Sequence, residues 1–134
     1  YYSFVKEYYE GEPWLRFREA LSRTSTLCRE HDCTFRVAIF PFLNNPGPEY
    51  PFREIHHQIQ AECEGLAIAC FDLDPALSKH AEERLTVNPF DAHPNERAHE
   101  IAANALTEWL SVSDTDTDDR LSDISESLER LSGD

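Results

Sequence analysis

The 134-residue sequence contains no methionine, and it has only twelve basic residues against twenty-six acidic ones. Without methionine the sequence cannot be a complete reading frame that keeps its initiator, so we expect a processed chain or a fragment of a longer one. The formal net charge of −14 disfavours partners such as nucleic acid and anionic membrane surfaces, because binding to either needs positive charge. No apolar run approaches the roughly 18 residues that would cross a bilayer, so we expect no transmembrane segment.

The four cysteines are too few and too irregularly spaced for a disulfide scaffold. Cys28, His31 and Cys33 bring three soft ligands close together, but a fourth zinc ligand would have to come from Cys63 or Cys70. Structural zinc sites usually show paired knuckles of cysteine and histidine, which this spacing lacks. We therefore interpret these residues as reduced thiols and predict neither a metal nor a cofactor.

The order of apolar patterns along the chain indicates an α/β fold. Apolar residues repeat every three or four positions over 13–30 and again over 52–64, which is typical of one face of a helix. Phe35–Phe40 and Leu66–Phe71 are short and almost continuously apolar, as strands buried on both faces of a parallel sheet are. The helix between the two strands is long enough for a βαβ crossover.

Two buried parallel strands do not complete a domain, because their edges and faces need partners. We expect the missing strands to come from sequence that precedes Tyr1, so that residues 1–112 form the C-terminal part of a larger domain. The opening 1–11 is compatible with a short helix or a loop, and a short helix is weakly indicated near 76–84. The clearest helix comes last, with Asn95 as its expected N-cap and an apolar stripe from Ala98 to Leu110.

The composition changes after Val112. Residues 113–134 hold eight acidic residues and two arginines, a net charge of −6, and no aromatic residue. This segment is predicted to be a disordered acidic tail, with a short amphipathic helix as the alternative because Leu121, Ile124, Leu128 and Leu131 follow a helical spacing.

The segment Asn88-Pro89-Phe90-Asp91-Ala92-His93-Pro94-Asn95 carries the most specific chemistry. It is predicted to be a loop that leads directly into the last helix. A carboxylate two residues from an imidazole can hold the Nδ1–H of that ring, which leaves Nε2 free to take a proton from a hydroxyl group. Asp91 and His93 are therefore the candidate catalytic residues.

The stretch Val87–Ala102, which reads VNPFDAHPNERAHEIA, resembles the last conserved block of the SGNH hydrolase superfamily, also called GDSL lipases and esterases. In that family an Asp-x-(x)-His-Pro-Asn-like turn precedes a C-terminal helix. The resemblance extends over roughly residues 13–111, because the two strands and the helix between them are similar to the family's fourth and fifth strands. It implies a flavodoxin-like three-layer α/β/α fold with a parallel sheet, of which only the last two strands and their helices are present here.

The resemblance also implies a serine ester hydrolase of the esterase, lipase or acylhydrolase type, in which His93 is the general base and Asp91 orients it. The substrate would be an ester-containing small molecule, a lipid or an acylated carbohydrate. The Gly-Asp-Ser motif of the family's nucleophile and the Gly-x-Asn-Asp asparagine are absent, so we expect the nucleophile upstream and predict that residues 1–134 alone are inactive. The alternative is a non-catalytic, hydrolase-like interaction module whose acidic tail binds a partner.

Two other groups of titratable residues remain as weaker candidates. Asp72 and Asp74 follow the second strand, at the sheet edge where α/β folds place their sites, and they are reserve candidates for the carboxylate. Capping of the turn at Pro75 is the alternative role for them. His56 and His57 diverge by about 100° around a helix, so they cannot easily share a ligand.

Overall fold

The computed structural model describes residues 2–112, and the predicted acidic tail at 113–134 lies outside them. Within this part of the chain no helix is long and apolar enough to cross a membrane. The elements, in chain order, are α1 (Tyr2–Glu7), α2 (Gly11–Glu30), β1 (Arg36–Ile39), α3 (Arg53–Gly65), β2 (Ala69–Asp72), α4 (Asp74–Ser78), β3 (Thr86–Asn88), β4 (Asp91–Pro94) and α5 (96–112).

The predicted βαβ unit is confirmed. Strands β1 and β2 pair in parallel, with Arg36 opposite Ala69 and Ile39 opposite Asp72, and α3 connects them. Strand β2 begins three residues later than expected, because the backbone from Leu66 to Ile68 closes the end of α3. The amide of Ile68 donates to the carbonyl of Cys63 at 2.8 Å. The residue with positive φ in this closure is Ala67, at 55°, whereas Gly65 still belongs to the helix.

The prediction that both strands are buried on both faces is wrong for this part of the chain. Ala38 and Ala69 are exposed, and most other residues of the two strands are only half-buried. The physical reason is the width of the sheet: within residues 2–112 it has only two strands, so each strand has one edge that no other strand covers.

Two apolar clusters form the core, one on each face of the parallel pair. Val37, Ile39 and Cys70 face the first cluster, and Phe71 faces the second. The first cluster joins α1, α2 and α3 to the sheet, and its buried members are Val5, Leu21, Ile39, Tyr50, Phe52, Ile55, Ile59, Cys63 and Ile68. The second joins α4 and α5, and its buried members are Leu43, Leu73, Leu77, Leu85, Ala98, Ile101 and Ala102.

The segment that was expected to be a loop before the last helix is instead an antiparallel hairpin formed by β3 and β4. Asn88 explains the turn between the strands, since its side-chain oxygen accepts hydrogen bonds from the amides of Phe90 at 2.9 Å and Asp91 at 3.0 Å. Such an Asx turn reverses the chain without a glycine. Strand β4 then leads through Asn95 into α5, which places the candidate residues just before that helix.

The remaining local predictions are largely confirmed. The opening of the chain forms the short helix α1. The weakly indicated helix near 76–84 is shorter and earlier, ending at Ser78, because Pro75 in its first turn favours an earlier start. Asn95 caps α5 as expected: its side-chain oxygen accepts the amide of Ala98 at 3.0 Å.

Candidate functional site

Asp91 and His93 lie side by side on β4. Residues two apart in a strand point to the same face, so the extended backbone brings the carboxylate and the imidazole together. Nδ1 of His93 lies 2.6 Å from Oδ1 of Asp91, and the same oxygen also accepts the backbone amide of His93 at 3.1 Å. Because an ionised carboxylate can only accept, we assign the proton to Nδ1, which leaves the lone pair on Nε2.

The hydrogen bond from the His93 side chain, assisted by its backbone amide, lowers the pKa of Asp91 below its ordinary value. The carboxylate is therefore ionised at neutral pH and can stabilise an imidazolium that forms when Nε2 takes a proton. The side chain of His93 is 87% exposed, so its ring is accessible to a reacting group. Within residues 2–112 the structure shows no hydrogen-bond partner for Nε2.

The pair opens onto a cleft of about 430 Å³ between the hairpin and the segment that follows β1. The residues that line it are Phe40, Pro41, Phe42, Leu43, Phe90, Asp91, Ala92, His93 and Pro94. The cleft lies beyond the carboxyl end of β1, which is where open α/β sheets place their ligands. None of these lining residues carries a hydroxyl or thiol group, so a nucleophile for this base is not among them.

Asn95 fixes the position of the hairpin relative to α5. Its side-chain amide donates to the carbonyl oxygens of Arg84 at 2.7 Å and Thr86 at 3.2 Å. Its backbone amide donates to the carbonyl oxygen of Leu85 at 2.9 Å. One residue therefore joins the base of the hairpin to the first turn of the helix, and His93 lies only two residues away.

The reserve carboxylates do not approach His93, because both have other partners. Asp72 accepts a hydrogen bond from Nδ1 of His56 at 2.9 Å and from the amide of Asp74 at 2.9 Å. Asp74 is buried, pairs with the guanidinium of Arg53 at 3.0 Å and accepts the hydroxyl of Ser78 at 2.7 Å. Both carboxylates are therefore engaged by partners other than His93.

A buried polar network formed by Tyr50, His56 and Asp72 was missed from the sequence. The sequence signal that could have found it is the divergence of the adjacent His56 and His57 around the helix. In the structure His56 is 4% exposed, whereas His57 lies on the surface. The hydroxyl of Tyr50 accepts the amide of Phe42 at 3.0 Å and lies 3.2 Å from Nε2 of His56. If the Tyr50 hydroxyl donates to Nε2 of His56 and the Nδ1–H of the same ring donates to Asp72, every one of these contacts is a hydrogen bond.

Burial is the main reason why the pKa of Tyr50 is raised to about 12, so its hydroxyl keeps its proton at neutral pH. Burial also acts to raise the pKa of Asp72, but the hydrogen bonds from His56 and from the amide of Asp74 overcome it, and the net shift is downward. At neutral pH the network therefore contains one ionised carboxylate, that of Asp72, and one protonated hydroxyl, that of Tyr50. It holds Phe42, one wall of the cleft, against the first core cluster.

The loop between β1 and α3 has a second anchor at Gly47. Its amide donates to Oγ of Ser78 at 3.0 Å, and its carbonyl accepts the guanidinium of Arg53 at 2.8 Å. The φ of Gly47 is 112°, a conformation that L side chains rarely adopt. The sequence thus places glycine where the loop requires it. These hydrogen bonds hold the loop that directly follows the cleft wall.

The cysteines form no metal centre in this part of the chain, since no three His, Cys, Asp or Glu side chains within residues 2–112 are arranged to hold an ion. The thiol of Cys33 instead lies 3.5 Å from the carbonyl oxygen of His31. Burial raises the pKa of Cys63 and, together with the neighbouring Cys63, raises that of Cys70 to about 12. Both thiols are therefore protonated and poorly nucleophilic at neutral pH.

Comparison with protein-family models, with curated proteins and with solved structures finds no match to this chain. Two observations bear on its function: the geometry of the Asp91–His93 pair and the resemblance of the segment Val87–Ala102 to one block of a hydrolase superfamily.

Proposed function

We propose that this chain is the C-terminal portion of a serine ester hydrolase of the SGNH type and that it supplies the catalytic base and its orienting carboxylate. The single observation that carries the proposal is the 2.6 Å contact between Nδ1 of His93 and Asp91, with Nε2 accessible at a cleft. This is the arrangement in which a histidine takes a proton from a serine hydroxyl.

The surrounding fold supports the same proposal. The parallel β1–α3–β2 unit has packed side chains on both faces, as the last two strands of a flavodoxin-like three-layer sheet would have. The cleft lies at the carboxyl end of these strands. The nucleophilic serine and the oxyanion donors belong, in this proposal, to sequence upstream of Tyr1.

The proposed reaction is acyl transfer from an ester to the serine, followed by hydrolysis. Nε2 of His93 takes the hydroxyl proton as the serine attacks the ester carbonyl, and then gives that proton to the leaving alcohol. In the second half, the same nitrogen activates the water that releases the acid. Asp91 stays ionised throughout and stabilises the imidazolium. Small esters, lipids and acylated carbohydrates are all substrates of this chemical class.

The test is substitution of the pair in the full-length protein. We expect His93→Ala to lower kcat on the order of 10³-fold or more, because it removes the base. Asp91→Asn should cost as much or less, since the imidazole remains but loses its fixed tautomer. Both variants should stay folded, because the pair lies at the surface of a hairpin.

His57 provides the matched control. It is an exposed histidine on α3 that lies near a carboxylate, Glu54, at 3.9 Å, and it does not line the cleft beside His93. His99 would be a poorer control, because its ring lies 6.3 Å from that of Phe40 in the cleft wall. His57→Ala should leave kcat/KM unchanged within about twofold. If folded His93→Ala keeps more than about a tenth of the activity, the hydrolase proposal fails and the non-catalytic interaction module replaces it.

A further inference from the structure

The wall of the cleft that faces the hairpin is the segment 40–43, which follows β1 and belongs to no strand or helix. Pro41 has no amide hydrogen, so a full ladder of backbone hydrogen bonds cannot hold this segment. The ring of Phe42 is 42% exposed on one side, and it meets the buried ring of Phe52 at 5.2 Å between centroids. The shape of this wall therefore depends on contacts with other parts of the chain.

One such contact joins the amide of Phe42 to the hydroxyl of Tyr50, with the amide as donor, at 3.0 Å. The Tyr50 side chain is buried, and its ring packs edge-on against Phe52 at 5.8 Å and against His56 at 5.2 Å between centroids. These ring contacts fix the position of the hydroxyl. Burial also leaves little room for water to compete for the amide.

The direction of this hydrogen bond is set by Asp72, the last residue of β2. Its carboxylate is ionised at neutral pH and can only accept, so Nδ1 of His56, at 2.9 Å, carries the proton of the neutral ring. Nε2 of that ring is then the acceptor for the hydroxyl of Tyr50 at 3.2 Å. Because the hydroxyl proton points to Nε2, a lone pair of the same oxygen is left for the amide of Phe42.

We infer that Tyr50 is a positioning residue for the proposed hydrolase reaction, because it fixes the cleft wall at Phe42 against which the substrate binds. The inference rests on the proposed function and identifies the buried group that shapes its substrate site. Tyr50 is not among the residues that line the cleft, so it acts on the substrate through Phe42. Within residues 2–112 the structure shows no hydrogen bond from Tyr50 to Asp91 or His93, so proton transfer at His93 does not depend on it.

The expected signature is a change in KM without a change in kcat. A wall that contacts the substrate equally in the ground state and in the transition state contributes uniform binding, and its loss raises KM alone. In the full-length protein, Tyr50→Phe should raise KM for p-nitrophenyl butanoate about three- to tenfold, the factor that one hydrogen bond typically represents. Its kcat should stay within about twofold of the wild-type value.

Leu21→Ala separates positioning from a general loss of stability. Leu21 is a buried residue of the first core cluster on α2, and it does not line the cleft. Truncation of a buried leucine destabilises a fold at least as much as removal of one hydroxyl does. At a temperature where both variants are folded, Leu21→Ala should leave KM and kcat nearly unchanged.

Amide hydrogen exchange, followed by NMR, tests the wall without any substrate. In Tyr50→Phe the amide of Phe42 should exchange at least about tenfold faster relative to the amide of Ile68. The amide of Ile68 is a suitable reference because it donates to the carbonyl of Cys63 at 2.8 Å, in the closure of α3 and outside the cleft. In Leu21→Ala the two amides should change together.

The outcomes separate this inference from the proposed activity. If Tyr50→Phe hydrolyses the ester with the wild-type KM, or if Leu21→Ala raises KM by the same factor, Tyr50 is not a positioning residue. Unchanged exchange of the Phe42 amide in Tyr50→Phe would also overturn the inference. If the wild type hydrolyses no ester, the hydrolase proposal falls, and the exchange rates alone then decide whether Tyr50 fixes this wall.

Discussion

Replacing Tyr50 with phenylalanine tests the buried network that holds the cleft wall. The substitution keeps the ring and removes only the hydroxyl that accepts the amide of Phe42 and meets Nε2 of His56. Phe42 is partly exposed, so water can accept its amide in place of the hydroxyl, whereas Nε2 of the buried His56 is left without a donor. An unsatisfied buried polar atom costs about 1–3 kcal/mol, and we expect the free energy of unfolding to fall by this amount.

The assay is urea unfolding of the full-length protein, in which the midpoint should fall while the slope stays constant. Tyr8→Phe is the control, because Tyr8 is exposed and its hydroxyl makes no hydrogen bond that the structure shows within residues 2–112; its effect should stay within about 0.5 kcal/mol. A double-mutant cycle with His56→Ala should give a coupling of about 0.5 kcal/mol or more. Equal effects of the Tyr50 and Tyr8 substitutions, or strict additivity with His56→Ala, would refute the network.

Two further predictions concern acid stability and the position of the hairpin. Because the folded-state pKa of Asp72 is lowered, its carboxylate stabilises the fold above its ordinary pKa near 4, and this contribution is lost as the pH falls through the folded value. Urea unfolding should therefore show Asp72→Asn less stable than the wild type at pH 7, with a gap that narrows as the pH falls below about 4, and a gap that widens in acid would contradict the assignment. Asn95→Ala should lower the free energy of unfolding by about 1–2 kcal/mol, because it removes the cap of α5 together with the bonds to Arg84 and Thr86. Asn95→Asp, which keeps only the cap, should melt at a temperature between those of the wild type and Asn95→Ala, and a melting temperature equal to that of the wild type would show that the hairpin bonds contribute nothing.

Local patterns in the sequence were sufficient for most of the elements. The stripe from Ala98 to Leu110 is that of one helical face, and α5 includes all of it. The side-chain cap at Asn95 was also predicted correctly, since capping depends only on the next three residues. The hairpin was missed because Pro89 and Pro94 favour a loop, while its pairing depends on a turn that the side chain of Asn88 closes.

The candidate pair could be found from the sequence for a similar reason. Asp91 and His93 are two residues apart, and an extended or a turning backbone can bring them into contact, so the error about the loop did not alter their proximity. Their assignment as catalytic residues stays a prediction. It came from the resemblance of the surrounding block to a hydrolase family and not from the spacing alone.

The sequence by itself determined the three long helices α2, α3 and α5, the strand segments β1 and β2 and the contact between Asp91 and His93, because each depends on residues that are near one another in the chain. Only the tertiary structure decided which of the adjacent histidines on α3 faces inward, and that His56 meets Asp72, sixteen residues later, on the neighbouring strand. It also decided that Phe42, on the segment after β1, lines the cleft beside His93. These contacts arise when α3 packs against the sheet and α1 folds over it, and the free energy of that packing depends on the whole set of buried side chains, which no local pattern encodes.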